Sequence, residues 1–260
     1  MRLGKWRIHR FFDREESVDV SEKDGVRSLH LGSSTVQSAM RISDPVELVL
    51  SYTRAMMGFL LFTSKPARVA MIGLGGGSLP KFVRHHMPTT RIIVVESNPR
   101  VISAARSFFE IPEDDQYFSI VLGQGEQWVA DYARDENVLM VDGYDGQRQV
   151  GGLSTEDFYT LAGQALVSDG VLVVNLWSSD RKYDVSLQRI ERCFEFVVTL
   201  PAERRGNVAV LAFRRPPREL RWTKLKERAR ELELHYGLGF VAMLAAIREF
   251  NPSSDKELRI

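Results

Sequence analysis

The sequence predicts a doubly wound α/β fold, a parallel sheet with helices on both faces, and three observations carry that expectation. From residue 68 onward, short apolar runs alternate with helical stretches, the pattern of parallel strands joined by right-handed crossovers. The apolar run 69–72 breaks into Gly73, Gly75, Gly76 and Gly77, and a helix starts near Ser78 with Pro80 in its first turn, where its missing N–H costs least. Nineteen positions after Gly77, Glu96 closes a second apolar strand, 92–95. Glycines let a backbone turn tightly and approach a ligand with no Cβ in the way, and a carboxylate at the next strand tip can accept bonds from both hydroxyls of a ribose. Together these features point to a nucleoside-containing ligand.

Bulk properties narrow the field. At 260 residues the chain can bury a substantial core, as one large domain or one domain plus a small appendage. Its 35 basic and 34 acidic residues nearly cancel, so charge makes no case for a nucleic-acid or anionic-membrane partner. The run Arg214, Arg215, Arg218, Arg221 reads as a solvated helix start. A single cysteine, Cys193, excludes an internal disulfide framework and fits a reducing compartment. No apolar segment reaches membrane-spanning length, and the first residues lack a secretory apolar core. A cytoplasmic location is expected, with no nucleic-acid and no membrane partner.

In chain order, residues 1–44 read as a small N-terminal β-domain. Its short strands are expected at 6–12, 18–20, 26–31 and 35–40, with turn signals at Asp24-Gly25 and Gly32-Ser33. So small a β-unit should pack on the rest of the chain or on a second subunit, which predicts a homodimer. Asp44-Pro45 then opens a helix running to about Phe62, with Leu48, Tyr52, Met56, Phe59 and Leu60 at helical spacing. Residues 45–260 form the nucleoside-binding domain. Its strands are expected at 69–73, 91–96, 117–122, 137–142 and 170–175, and its helices at 78–86, 98–110, 125–133 and 154–167, the last stopped by Gly170. The first five strands should lie in the order 3-2-1-4-5. Strands 194–200 and 207–213 form a closing hairpin around Glu203-Arg-Arg-Gly206. The result is a seven-stranded Rossmann-like sheet with the layout of class I S-adenosylmethionine-dependent enzymes. Residues 219–249 read as helical and 251–260 as a frayed end.

In such a sheet the ligand crevice lies outside the carboxyl ends of the strands, where strand order reverses. That point falls between the first and fourth strands, so the glycine loop and the end of strand 137–142 should face one cavity. The fourth strand leaves through Asp142-Gly-Tyr-Asp145-Gly, which places two carboxylates at the cavity; turn and cap residues are the alternative for both. His85 and His86, at a helix end before Met87-Pro88, read as surface residues. Histidines and acids do not fall at metal-ligand spacing.

These residues resemble the polyamine aminopropyltransferase (spermidine synthase) family over about residues 26–176. The resemblance includes the small β-unit, Gln37, Ser51-Tyr52-Thr-Arg-Ala-Met-Met, the glycine loop and Val95-Glu96-Ser-Asn-Pro-Arg-Val-Ile102. It continues through Gly123-Gln-Gly125, Asp142-Gly-Tyr-Asp145 and Phe158-Tyr159, and is similar in texture to a divergent bacterial branch with a YTRAMM helix and a GLGGGSL loop. It implies transfer of the aminopropyl group of decarboxylated S-adenosylmethionine, a co-substrate, to a small di- or polyamine, releasing methylthioadenosine, with no metal and no prosthetic group. It implies that Glu96 binds the ribose, that Gly73, Gly75, Gly77 and Ser78 line the nucleoside loop, and that Gln124 and Gly125 meet the base. Asp142 stands at the general base, Tyr52 at the tyrosine that orients the attacking nitrogen, and Asp145, Gln37 and Tyr144 on the amine side.

The chemistry fits those roles. A primary alkylamine has a pKa of about 10.4, so freeing its lone pair at pH 7 costs roughly 4–5 kcal/mol. A positioned carboxylate can take that proton during attack, and a second can hold the far ammonium of a diamine. The sequence departs from the family at the end of the glycine loop, where Ser78 stands for an aspartate. Losing one charge-assisted hydrogen bond of about 1.5–3 kcal/mol would weaken the decarboxylated donor roughly 10- to 100-fold. Gln124 also replaces an aspartate, Gly143-Tyr144 two serines, and Asn175-Leu-Trp177 a glutamine and an acid. Two alternatives share the fold: a methyltransferase using S-adenosylmethionine itself, and a non-catalytic polyamine- or nucleoside-binding protein.

Overall fold

The computed structural model describes residues 7–11, 17–63, 65–145, 148–149, 151–202 and 206–259, with the backbone alone at 7–11, 144–145 and 148–149. Four strands come first: β1 (Arg7–Phe11), β2 (Val18–Lys23), β3 (Val26–Leu31) and β4 (Val36–Arg41). They form an antiparallel sheet in sequence order. The second sheet contains β5 (Arg68–Ile72), β6 (Arg91–Glu96), β7 (Phe118–Leu122) and β8 (Glu136–Val141). Between β8 and the rest of that sheet, β9 (Tyr144–Asp145) and β10 (Arg148–Gln149) make a two-stranded ribbon. Then follow β11 (Leu166–Trp177), β12 (Phe196–Pro201) and β13 (Asn207–Phe213).

The large sheet runs β12-β13-β11-β8-β5-β6-β7. Its five strands from β11 to β7 are parallel and β13 is antiparallel to both neighbours, the expected order with its closing pair. Side chains of a strand alternate between faces, and β5 shows it: Val69 and Met71 join one buried cluster, Ala70 and Ile72 the other. The helices are α1 (Ser51–Met56), α2 (Ser78–His86), α3 (Pro99–Phe108), α4 (Gly125–Asp131), α5 (Glu156–Ala165), α6 (Tyr183–Cys193), α7 (Trp222–Tyr236) and α8 (Phe240–Phe250). No helix among the described residues is long and apolar enough to cross a membrane.

Three expectations need correction. The helix foreseen from 45 to 62 begins only at Ser51 and tightens into a 3-10 turn over Met57–Leu61. Side chains compete for the backbone just before it: Arg54 Nη1 donates to the carbonyls of Leu48 and Val49 at 2.8 and 3.2 Å, and Thr53 Oγ1 to that of Leu50 at 2.7 Å. Gly170 does not stop α5. The chain leaves α5 straight into β11 at Leu166, whose backbone is already extended, and Gly170 sits in the register shift between Leu166 and Val171. The described end, 251–259, is not frayed. Residues 251–259 fold back on α7, with Leu258 buried, Trp222 N–H donating to the Lys256 carbonyl at 2.9 Å and its indole N–H to that of Ser254 at 2.8 Å.

The small sheet is tied to the large one through the end of α3. Arg27 of β3 donates to the Phe108 carbonyl, and Lys81 of α2 to that of Phe109 at 2.7 Å, so two cations meet the negative end of one helix. Lys81 is 4 % exposed, and burial lowers its pKa from 10.5 to about 8. Because the folded value lies below the unfolded one, Lys81 disfavours folding fully below pH 8, and that cost disappears as pH rises to 10.5. The difference of 10.5 − 8 = 2.5 units corresponds to about 3 kcal/mol. Urea unfolding of the wild type and Lys81→Met should therefore show the wild type gaining about that much on the variant between pH 8 and 10.5, and parallel stabilities would refute the assignment.

Candidate active site

A cavity of about 690 Å³ opens at the carboxyl ends of β5, β6 and β8, roofed by β4 and the start of α1. Its floor is set where the chain leaves β5. Gly73 has φ +95°, and a Cβ there would run into the Asp142 carbonyl oxygen. Gly73 N–H donates to the Val95 carbonyl at 2.8 Å and Asp142 N–H to that of Ile72 at 2.9 Å, so the tips of three strands are locked together. Leu74 and Gly75 line the cavity beyond this point.

Gly77 behaves differently from the expectation. It does not line the cavity; its φ of +67° caps α2, and the Ile111 side chain occupies the space a Cβ would need. Its glycine identity answers to packing. Ser78 is the first residue of α2, with no side-chain capping bond at the helix start. Its hydroxyl donates to the Ala39 carbonyl at 3.3 Å and lies 3.4 Å from Ser38 Oγ, joining α2 to β4 at the cavity wall.

Glu96, at the tip of β6, is 9 % exposed and held from both sides. Its Oε2 accepts from Leu74 N–H and its Oε1 from Asn98 N–H, each at 2.9 Å. A carboxylate oxygen carries two lone pairs, so each retains one for a ligand hydroxyl. Asn98 in turn caps α3 by accepting from Arg100 N–H at 2.9 Å. Gln124 is exposed at the start of α4, while Gly125 is buried where a Cβ would run into the Ile72 side chain; both line the cavity.

Asp142 lies deep in the protein, yet the cavity reaches it and leaves it half-exposed. Asn175 Nδ2 donates to its Oδ1 at 2.8 Å, and Asn207 Nδ2 donates to Asn175 Oδ1 at 3.0 Å. Burial raises the Asp142 pKa above the ordinary carboxylate value, and hydrogen bonds from Asn175 and Tyr52 pull it partly back. Burial, and then the charge of Asp142, hold the Tyr52 phenol well above its ordinary value, so it keeps its proton. That proton has two acceptors in reach, the Gln37 carbonyl at 3.2 Å and the Asp142 carboxylate.

The structure thus gathers Asp142, Tyr52, Gln37, Ser78, Glu96 and the first glycines around one cavity. Tyr144 and Asp145 follow directly in β9, and their side chains lie outside the described residues. The sequence reading missed the Asn175–Asn207 relay and treated Asn175 only as a replacement. The signal was present: each is a lone amide in or beside an apolar run, 171–177 in β11 and 208–213 in β13, where a polar group needs a stated partner. Among the described residues no cluster of three or more His, Cys, Asp or Glu is placed to hold a metal.

Sheet order, antiparallel closing pair and crevice place the protein in the class of Rossmann-like transferases of class I type. The spermine/spermidine synthase domain matches residues 49–198. The chain is 43% identical over 244 residues to the polyamine aminopropyltransferase of Chromobacterium violaceum, covering 94% of each chain. It is 44% identical over 245 residues to that of Neisseria meningitidis serogroup A, covering 94% of this chain and 93% of the other. The crystal structure of a spermidine synthase in complex with the transition-state analogue AdoDATO shares the fold, with a TM-score of 0.71, 22% identity, and 92% and 85% of the two chains covered. The chain belongs to the spermine/spermidine synthase family.

The lock at the strand tips is testable without any assay of activity. Gly73→Ala should lose about 2–4 kcal/mol in denaturant unfolding, combining a disfavoured φ with a backbone clash. Gly123→Ala, where a Cβ would meet nothing within 4 Å, should stay within about 0.5 kcal/mol of wild type.

Proposed function

We propose that this chain is a polyamine aminopropyltransferase that moves the aminopropyl group of decarboxylated S-adenosylmethionine to a small di- or polyamine and releases methylthioadenosine, with Asp142 as general base. The observation that carries the reading is the Asp142 carboxylate, raised in pKa and held by an amide relay where the glycine loop meets Tyr52. The names of the relatives at 43–44% identity support the same activity.

The reaction needs little beyond position and a base. The amine nitrogen attacks the carbon bound to the sulfonium. The C–S bond breaks with its electron pair going to sulfur, which leaves neutral as a thioether, and the nitrogen must shed one proton. Asp142 takes it. A carboxylate whose pKa is lifted by burial is a stronger base toward an amine, while the Asn175 bond favours its ionised form. Tyr52, protonated and with the Gln37 carbonyl and the Asp142 carboxylate as acceptors in reach, has oxygen lone pairs to accept an N–H of the amine and aim its free pair. Glu96 binds the ribose hydroxyls with its spare lone pairs, Gly73 and Gly75 admit the nucleoside, and Gln124 and Gly125 border the base. Asp145 and Tyr144 complete the amine end, by resemblance. Ser78 offers a hydroxyl where the family's aspartate would meet the donor's ammonium, so donor affinity is lower than that aspartate would give. A cytoplasmic homodimer, its interface formed by the N-terminal β-domain (1–44) beside the catalytic domain (45–260), is the assembly proposed.

The decisive assay supplies decarboxylated donor with putrescine, cadaverine or spermidine and follows methylthioadenosine. Formation of S-adenosylhomocysteine from S-adenosylmethionine, with no methylthioadenosine from the decarboxylated donor, would sink the proposal in favour of methyl transfer. Asp142→Asn should lower kcat by about 10²–10⁴ while methylthioadenosine binding stays near wild type. A variant of undiminished rate removes Asp142 from the mechanism.

The relay gives a second check. The base must be deprotonated, so kcat/KM falls as pH drops through the Asp142 pKa, which lies above the ordinary carboxylate value. Asn175→Leu removes a contact that lowers that pKa, so the acid limb should move to higher pH, with the amine's own ionisation common to both enzymes. An unmoved limb would mean that Asp142 is not the group being titrated.

A further inference from the structure

The segment 44–54 lines two cavities. Residues 49–54 face the nucleoside cavity, while Asp44, Val46, Glu47, Leu48 and Arg54 line a second, solvent-open one of about 610 Å³, bounded elsewhere by α2 and the α7–α8 turn. Nothing in the transfer chemistry uses this second space. We propose that it binds a protonated alkyl di- or polyamine, at a site separate from the one where the amine reacts.

Its lining matches such a cation in charge. Among the described residues, Asp44 and Glu233 form no ion pair, and they reach the cavity from different elements, the loop before α1 and the body of α7. Asp44 Oδ1 accepts only the Val46 N–H, at 3.3 Å. Glu233 Oε1 accepts the Gly239 N–H at 3.3 Å, and its Oε2 is buried with no hydrogen-bond partner. A buried carboxylate oxygen left unmatched is costly, and an ammonium N–H is a donor of the right kind for it once side-chain motion admits the cation. The remaining acid, Glu47, is already paired with Arg41. The lining cation, Arg54, spends Nη1 on the Leu48 and Val49 carbonyls.

The aromatic side matches as well. Phe82 and His86 stack at 4.3 Å between ring centroids, and His86 meets Tyr236 at 5.3 Å, so three rings form a continuous wall. Ring faces attract an ammonium group and pack an alkyl chain. Burial first, then His85 and His235, and Lys65 to a smaller degree, hold His86 below its ordinary pKa, against an opposing pull from Asp44. The shift favours the uncharged form of the His86 ring. Arg228, whose charge reaches Tyr236, also has Glu231 as an ion-pair partner. An alkyl chain along this wall with an ammonium at each carboxylate satisfies both. The site is argued from this cavity alone. The choice of a biological polyamine as its occupant rests on the transfer reaction proposed above.

The chain has five histidines, and three of them report on this wall: His85 and His86 line it, and His235 packs on His86 at 6.4 Å. Imidazole resonances can therefore follow a titration with putrescine or spermidine at neutral pH, with His30 in β3 as the control for bulk ionic effects. His85, His86 and His235 should shift with one saturating curve in the millimolar range or below, and His30 should not follow them. Asp44→Asn and Glu233→Gln should each weaken that curve about 10-fold or more, the loss of one charge-assisted contact, while Asp142→Asn leaves its midpoint unchanged. Should Glu233→Gln fail to fold, Asp44→Asn on the surface loop suffices. Absence of any shift overturns the site. So does a midpoint that moves with Asp142→Asn and not with Asp44→Asn, which would assign the response to the reacting amine. The shifts need no turnover, so an inactive chain that still shows them would refute the transfer reaction and leave this site standing.

Discussion

The constraint on which the structure depends is the contact between two strand ends, Gly73 after β5 and Asp142 after β8. Parallel strands normally diverge once their ladder ends, because crossovers carry them to different helices. Here the ladder runs one residue further on both sides: Asp142 N–H reaches Ile72, and Gly73 N–H reaches Val95 on the opposite neighbour. Only a residue without Cβ, at φ +95°, can make the second bond while lying against the Asp142 carbonyl. The result fixes, within one bonded patch, the backbone of Asp142, the start of the glycine loop and the strand that ends in Glu96. Glu96 then accepts the Leu74 N–H, so the start of the loop is fastened through two successive N–H groups.

A second tension runs across the sheet. Strands β11 and β13 are nearly all apolar, as parallel and central strands must be when both faces are covered. Asn175 and Asn207 break that rule, and an isolated buried amide costs free energy unless its donors and acceptors are matched. They match each other, and the chain of donation ends on Asp142. An amide lowers the carboxyl pKa without bringing a charge, where an arginine or lysine at the same point would hold the carboxylate far more strongly ionised and make it a poorer base. Burial raises the affinity of Asp142 for a proton while the amide restrains the rise, the balance that the proposed role as a base would call on.

Much of this was legible in the sequence because it is written in local signals. Alternating apolar runs set the sheet order, the glycine break and Pro80 set the start of α2, and Glu96 and Asp142 stand at strand tips that pattern alone can locate. What escaped depends on partners far along the chain. Gly77 reads like Gly73, yet its neighbour is Ile111, thirty-four positions away, and its requirement is packing. The end at 251–259 reads as polar and frayed, yet Leu258 and the Lys256 carbonyl meet the start of α7. The amide relay joins residues 142, 175 and 207 across three strands, and a sequence shows only that each is polar.

The late start of α1 belongs to the same class and bears on chemistry. Had the helix begun at Pro45, Tyr52 would sit in its second turn, with its direction set by a continuous helical register. Instead Arg54 and Thr53 reach back to the carbonyls of 48–50, and the helix starts from an extended Leu50. Tyr52 is then the second helical residue, at a start whose approach is set by side-chain bonds, and its hydroxyl reaches the Gln37 carbonyl on β4. That bond spans the two sheets. The small sheet therefore helps to position Tyr52, and the hydroxyl that faces Asp142 is placed jointly by a strand of one sheet and a helix packed on the other. A β-unit that looks like an appendage in the sequence in this way helps to shape the cavity around Asp142.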